Sequence, residues 1–292
     1  MTTAAFGLVL ASAVMHATWN FLLKRSTHKV IFFWGMSAVG LVGLLIPAIV
    51  FAIVDGFSWE LLGYGMGTAA LHSVYGVLLT RGYSVGDLSS VYPISRGMGP
   101  ALVPILAVLF LDESVSTEAA IGIGLVIVGI YTIHIDSRFL RDFSHPIRAL
   151  TTPTTGIAIL TGVMIACYTI WDKAGLDHGL HPVTLSAFSL GAYSVILTPA
   201  VGALAGGEVV HNEWRSQWRS IIAAGILAPA GYLLVLIALQ TTRVSYIAPS
   251  REVGIVLGTA LGVLLLGEGY GLSRIWGSLL VVAGVITIAV AP

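Results

Sequence analysis

The chain has 292 residues, of which 57% are hydrophobic and 10% charged, and its mean hydropathy is +0.94. Soluble domains carry about 25% charged residues, so this composition excludes a soluble globular protein and points to one embedded in a bilayer. Fourteen basic residues balance fourteen acidic ones, which leaves no net positive field for nucleic acid, and the single Cys167 excludes an internal disulfide or a cysteine metal cluster.

A spanning helix needs about 20 apolar residues. In chain order, ten stretches meet that need: roughly 4–23, 31–54, 61–80, 88–111, 118–135, 155–175, 182–205, 218–239, 245–266 and 273–290. The opening MTTAAFGLVL lacks the basic region of a secretory signal, so the first stretch is read as a retained span. Most connections are short, which makes neighbouring spans antiparallel hairpins. The longest polar stretch, Asp136 to Thr154, falls mid-chain and divides it into two five-helix repeats, 1–150 and 151–292. A second polar stretch, Gly206 to Gln217, is expected to lie at the membrane interface between spans seven and eight.

The two halves resemble each other. Ser90–Glu113 and Ser245–Glu268 align without a gap at an offset of 155, which pairs Ser95 with Ser250, Arg96 with Arg251 and Gly99 with Gly254. The same offset pairs Gly76 with Gly231, Gly122 with Gly277 and Gly129 with Gly284. At an offset of 152, His16, Trp19 and Asn20 of span one fall on Tyr168, Trp171 and Asp172 of span six. Five spans per half force the second half to enter the membrane upside down. This is the inverted repeat of many secondary transporters, whose sites lie at the midplane.

HATWNFLLKRS at the end of span one and VYPISRGMGP leading to LDE at the end of span four resemble the EamA branch of the drug/metabolite transporter superfamily. The resemblance covers nearly the whole chain. It implies an all-α fold of ten transmembrane helices, built as two inverted repeats around a central cavity. It implies transport of small metabolites by alternating access, often export of amino acids or related compounds, in the cell (inner) membrane and without a cofactor.

Charged residues inside spans are costly and mark function. Arg96 sits about 4 residues from the centre of its span, roughly 6 Å. It shares a helical face with Ser89 and Tyr92, and Arg251 is its counterpart. Two guanidinium forks would bind a carboxylate or phosphonate; the structural alternative is that they tie down carbonyls freed by Pro93, Pro100 or Pro249. Glu252 replaces Gly97 and Asp172 replaces Asn20, so the second half gains two acids. These suit an amine or a coupling proton, or else they neutralise the arginines; Asp172 could also simply mark the polar end of span six beside Lys173. Trp19 and Trp171, with His16 and Tyr168 one turn before them, offer aromatic walls for a cation or belong to an interfacial belt. His16 could relay protons, and Trp34, Tyr75 and His72 are further candidates. The stripe Gly254, Gly258, Gly262 predicts close helix contact. His178 and His181 beside Asp177 read as a solvated loop and not a metal site, and no Walker A, dinucleotide or G-x-S-x-G motif is present.

These observations predict a secondary transporter and not an enzyme, a monomer or weak homodimer in the lipid bilayer. Its expected substrate is a small amino-acid-like zwitterion, with proton coupling through Glu252. The alternatives are export of drugs or quaternary amines, and a membrane sensor or accessory subunit that moves nothing. Connections one, three, five, seven and nine hold ten of the basic residues against two in the even ones. The positive-inside rule then puts both termini outside, whereas the family resemblance implies cytoplasmic termini.

Overall fold

The computed structural model describes residues 1–56, 58–85, 88–133, 153–204, 207–266 and 271–292, without the side chains of 80, 82–85, 88–93, 153–154, 204 and 265–266. The side chains of Ser89 and Tyr92, Glu268 and most of the central 136–154 connection lie outside the described residues. Eleven helical segments follow in order among those described: α1 Thr3–Arg25, α2 Lys29–Val54, α3 Trp59–Val85, α4 Leu88–Phe110, α5 Thr117–Ile133, α6 Pro153–Asp177, α7 Pro182–Leu204, α8 Gly207–Leu239, α9 Val244–Ser250, α10 Val253–Leu266 and α11 Leu272–Val290. No strand occurs among them. The chain is an all-helical, multi-pass integral membrane protein. Seven stretches are long and apolar enough to cross a membrane, and α9 with α10 forms one of them, Val244–Leu264. Outside these seven, α4 and α5 give shorter apolar runs, Ile94–Phe110 and Thr117–Ile133, and α3 carries Glu60, His72 and Arg81.

Two of the expected boundaries differ. The segment expected at the interface between spans seven and eight is helical from Gly207 and continues without a break into the span as α8. The ninth span is broken at Arg251–Glu252 into α9 and α10. Pro249, which has no N–H to give, precedes the break. Beyond it Glu252 N–H donates to Pro249 O at 3.1 Å, Gly254 to Arg251 O at 3.0 Å and Ile255 to Glu252 O at 2.9 Å. These three-residue bonds are the tighter 3₁₀ pattern, which mid-helix often marks a functional hinge.

The chain divides into two compact units, each drawing on both halves of the sequence. One comprises residues 1–7, 78–170 and 242–292. Its core is Val126, Ile130, Val281, Val285 and Ile288, between α5 and α11, with Tyr246 and Ile255 beside them. α5 and α11 run antiparallel in very close contact: a Cβ added at Gly122 would stand 2.8 Å from Gly284 O, and one at Gly129 would stand 2.7 Å from Gly277 O. Shifting by 155 residues turns the first contact into the second. The close approach falls on these four glycines; within the stripe expected in α10, a Cβ at Gly258 would meet nothing within 4 Å, while Gly254 and Gly262 are buried. In the same unit Glu113 caps α9, accepting the Val244 and Ser245 N–H groups at 2.7 and 3.0 Å and the Ser245 hydroxyl at 2.6 Å. This satisfies donors that no helical carbonyl reaches.

The other unit comprises residues 8–77 and 171–241. Here α2 packs against α7 and α8, burying Phe32, Phe33, Met36, Leu197, Ile221 and Ala224. The α6–α7 turn is closed by Gly179 at φ +94°, a left-handed position that glycine adopts without strain. The Gly179 and Leu180 N–H groups reach back to Leu176 O and Gly175 O at 3.0 and 2.9 Å, a paired C-cap of α6. Pro182 then starts α7, where a missing N–H has no consequence.

Candidate functional site

The expected polar residues fall into two buried clusters, one in each compact unit. The first forms where α4 meets the broken span. Arg96 Nε stands 3.4 Å from Glu252 Oε2, with side-chain exposures of 13% and 8%. Glu252 Oε2 accepts no hydrogen bond from a described residue, and its ion-pair contact among the described residues is with Arg96. Adjacent helical positions point about 100° apart. Thus Arg251 follows a different direction from Glu252 and makes neither a hydrogen bond nor an ion pair with a described side chain. The group of three sums to one positive charge: one guanidinium is matched by a carboxylate and one is left over. Gly97, the counterpart of Glu252, lies under the Tyr131 ring, where a Cβ would stand 3.1 Å from Cζ. A side chain at position 97 would therefore press against that ring. Tyr168 also belongs to this unit and is buried.

The second cluster surrounds Asp172, which is 1% exposed. Thr68 Oγ1 donates to Asp172 Oδ1 at 2.7 Å, and the Tyr232 hydroxyl donates to Oδ2. His72 Nε2 stands 4.0 Å from the same Oδ2. Lys173, the sequence neighbour, turns instead to Asp177 at 2.5 Å. Asp172 is thus no polar helix end but a buried, hydrogen-bonded carboxylate. Its repeat counterpart Asn20 does something simpler: Nδ2 donates to the carbonyl of His16 in its own helix at 2.8 Å. Thr68, His72 and Tyr232 were missed as a set. One signal was present: at the 155 offset their counterparts are Ala223, Leu227 and Val77, so none of the three has a polar counterpart in the other half.

The matched tryptophans also differ. Trp171 Nε1 donates to Tyr64 O at 2.9 Å and its ring covers Gly67, where a Cβ would lie 2.4 Å from the indole. Trp19 takes an edge-on contact with His16 at 4.9 Å between ring centroids and packs toward Phe33. Tyr92 has its side chain outside the described residues.

A profile of the EamA-like transporter family matches residues 154–290. An uncharacterised protein of Methanocaldococcus jannaschii is 30% identical over 138 residues, which is 47% of this chain and 98% of that one. A protein of Enterococcus faecalis named for sugar uptake is 24% identical over 203 residues, 64% of this chain and 61% of that one. A nicotine metabolites export pump subunit of Paenarthrobacter nicotinovorans is 33% identical over 69 residues, 24% of this chain and 60% of that one. The chain therefore spans less than two-thirds of these last two relatives. A solved crystal structure is similar with a TM-score of 0.75 at 13% identity, over 99% of this chain and 97% of that one, which shows a shared fold.

Proposed function

The chain belongs to the EamA-like transporter family, and from that premise we propose that it is a secondary active transporter of small amino-acid-like zwitterions, exporting them from the cell (inner) membrane by alternating access. It works as a transporter and not as an enzyme. The relatives named for sugar uptake and for nicotine-metabolite export support transport of small molecules but differ in cargo and direction, so the substrate class is argued from the residues. The reciprocal contacts Gly122–Gly284 and Gly129–Gly277 support the reading of ten spans as two inverted five-helix repeats, because a two-fold axis between α5 and α11 exchanges one contact for the other.

The observation that carries the substrate class is the Arg96–Glu252 pair at 3.4 Å, with Arg251 left over beside it. Removing two charges from water is costly, and the pair meets that cost in advance. A zwitterion brings one charge of each sign. Its carboxylate can take a guanidinium and its ammonium can take Glu252, so the total charge of the site is unchanged while the ion pair is exchanged for two substrate contacts. An amine alone would leave two guanidinium groups against it. The break at Arg251–Glu252 supports this reading, since discontinuous helices carry the sites of many transporters. The test is a thermal-shift screen of the purified protein against amino acids, phosphonates and amines, since a ligand of the folded state raises its melting temperature. Zwitterions should give the largest shifts; amines that shift the protein more than amino acids of the same size would turn the reading toward cationic drugs.

A further inference from the structure

Asp172 lies in α6, one of the seven stretches long and apolar enough to cross a membrane, and His72 lies in α3; both are buried, at 1% and 3% exposure. Asp172 lies five residues before the end of α6, about 7.5 Å along the helix. Nothing in the zwitterion reading uses either residue.

The hydrogen-bond directions identify the titrating atom. His72 Nδ1 stands 3.0 Å from Thr68 O. A carbonyl only accepts, so Nδ1 carries a hydrogen and donates it. The remaining ring nitrogen, Nε2, is the one whose protonation can change, and it faces Asp172 Oδ2 at 4.0 Å. Both carboxylate oxygens already receive a hydroxyl hydrogen, from Thr68 and from Tyr232. Among the described contacts, the rings of Tyr193 and Tyr232 also face the pair, at 5.6 and 6.0 Å from the His72 ring. The nearest lysine in sequence, Lys173, is committed to Asp177.

We propose that Asp172 and His72 form a proton-binding site, rimmed by Thr68 and Tyr232, through which transport is coupled to the proton gradient. In a medium of low dielectric the neutral sum of charges is favoured. One proton added to the pair, taken from water by Nε2, gives an aspartate beside an imidazolium. Its release to water on the other side restores an aspartate beside a neutral imidazole. No electron or second reactant is involved. Chains of Asp and His inside membranes recur as proton relays. The site also occurs once: the counterparts of its members are Asn20, Ala223, Leu227 and Val77, which suits one coupling ion per cycle.

The coupling role rests on the transporter reading, but proton binding does not, and two measurements separate them. The first is an infrared difference spectrum of the protein in liposomes between about pH 5 and pH 8, the range in which histidine titrates. We expect carboxylate and imidazole bands that are lost in Asp172→Asn and His72→Gln, and whose midpoint moves in Tyr232→Phe. The second compares accumulation of radiolabelled neutral amino acids under a pH gradient with their exchange at equal pH. In His72→Gln, accumulation should fall at least tenfold more than exchange. Bands that persist in both variants, with a midpoint unmoved in Tyr232→Phe, overturn the proton site. Accumulation that falls no more than exchange overturns its coupling role. If the wild-type protein moves no amino acid, the zwitterion reading fails and the spectrum alone decides the proton site. Should Asp172→Asn not fold, His72→Gln and Tyr232→Phe give the same decisions.

Discussion

Arg96 Nε stands 3.4 Å from Glu252 Oε2 and joins α4 to the break between α9 and α10. An ion pair at this depth has two readings with different consequences. As a brace, it only has to be neutral; as a substrate site, it has to offer both charges. Arg96→Met and Glu252→Gln each break the buried pair by removing one partner, a loss of about 3 kcal/mol. Combining them removes both charges, so the double variant should melt closer to the wild type than either single one. Transport should stay lost in all three. Recovery of transport together with stability in the double variant would reduce the pair to a brace.

The contact between α5 and α11 depends on missing side chains. Gly122→Val has no room beside Gly284 O and Ile288, whereas Gly124→Val, two residues on, meets open space. Overpacking costs about 1–3 kcal/mol. Gly122→Val should lower the yield of monodisperse protein and its melting temperature, and Gly124→Val should leave both near wild type. Equal effects at the two positions would mean that the helices do not meet as described.

His181 sits in the connection before α7, outside the spans, stacked on Phe51 at 3.6 Å between ring centroids. Its Nδ1 accepts the Val183 N–H at 3.2 Å, a bond available to the neutral ring. Burial lowers its pKa below the usual 6.5, with Asp55 acting in the opposite direction. The unfolded chain then binds the proton more readily than the folded one. This contribution to stability is therefore present above pH 6.5 and is lost as pH falls through the lowered value. His181→Phe keeps a ring on Phe51 and removes the proton. Melting of this variant in detergent should fall less steeply below pH 6.5 than melting of the wild type; parallel curves would show that His181 is not the group responsible.

The positive-inside rule, applied to the basic residues of the odd connections, predicts that both termini lie outside. Ser26 is buried, with its hydroxyl donating to Leu23 O at 2.7 Å, so the exposed Thr27 is the better reporter. With Cys167 replaced by serine, Thr2→Cys should react with an impermeant maleimide on intact cells and Thr27→Cys should not. The reverse pattern would show that the family arrangement, with cytoplasmic termini, outweighs the charge bias.

The sequence made some of this legible for a simple reason: a charged residue in an apolar stretch is rare, so Arg96, Arg251, Glu252 and Asp172 stand out wherever they point. Their partners did not stand out. Thr68 and Tyr232 reach Asp172 across 104 and 60 residues, and no local pattern encodes a contact of that range. Glu113 was visible as a repeat marker, but its work is to cap a helix that starts 131 residues later. The break at Arg251–Glu252 was hidden because the apolar run continues beyond it to Leu266, and Pro249 alone does not say whether a helix bends or stops. Trp19 and Trp171 were paired by sequence offset, which could not reveal that the bond from Trp171 to Tyr64 O depends on the absent side chain of Gly67.

A site with charges of both signs should move zwitterions in preference to molecules with a single charge. The most direct measurement is initial uptake into liposomes containing the purified protein. The probes are radiolabelled neutral amino acids, with the matching amines and carboxylic acids as controls. The account predicts uptake of amino acids above empty liposomes, slower uptake of both controls by about tenfold, roughly one lost charge contact, and loss of amino acid uptake in Arg96→Met and Arg251→Met. Amines taken up as fast as amino acids, with rates unaffected by either arginine substitution, would contradict it.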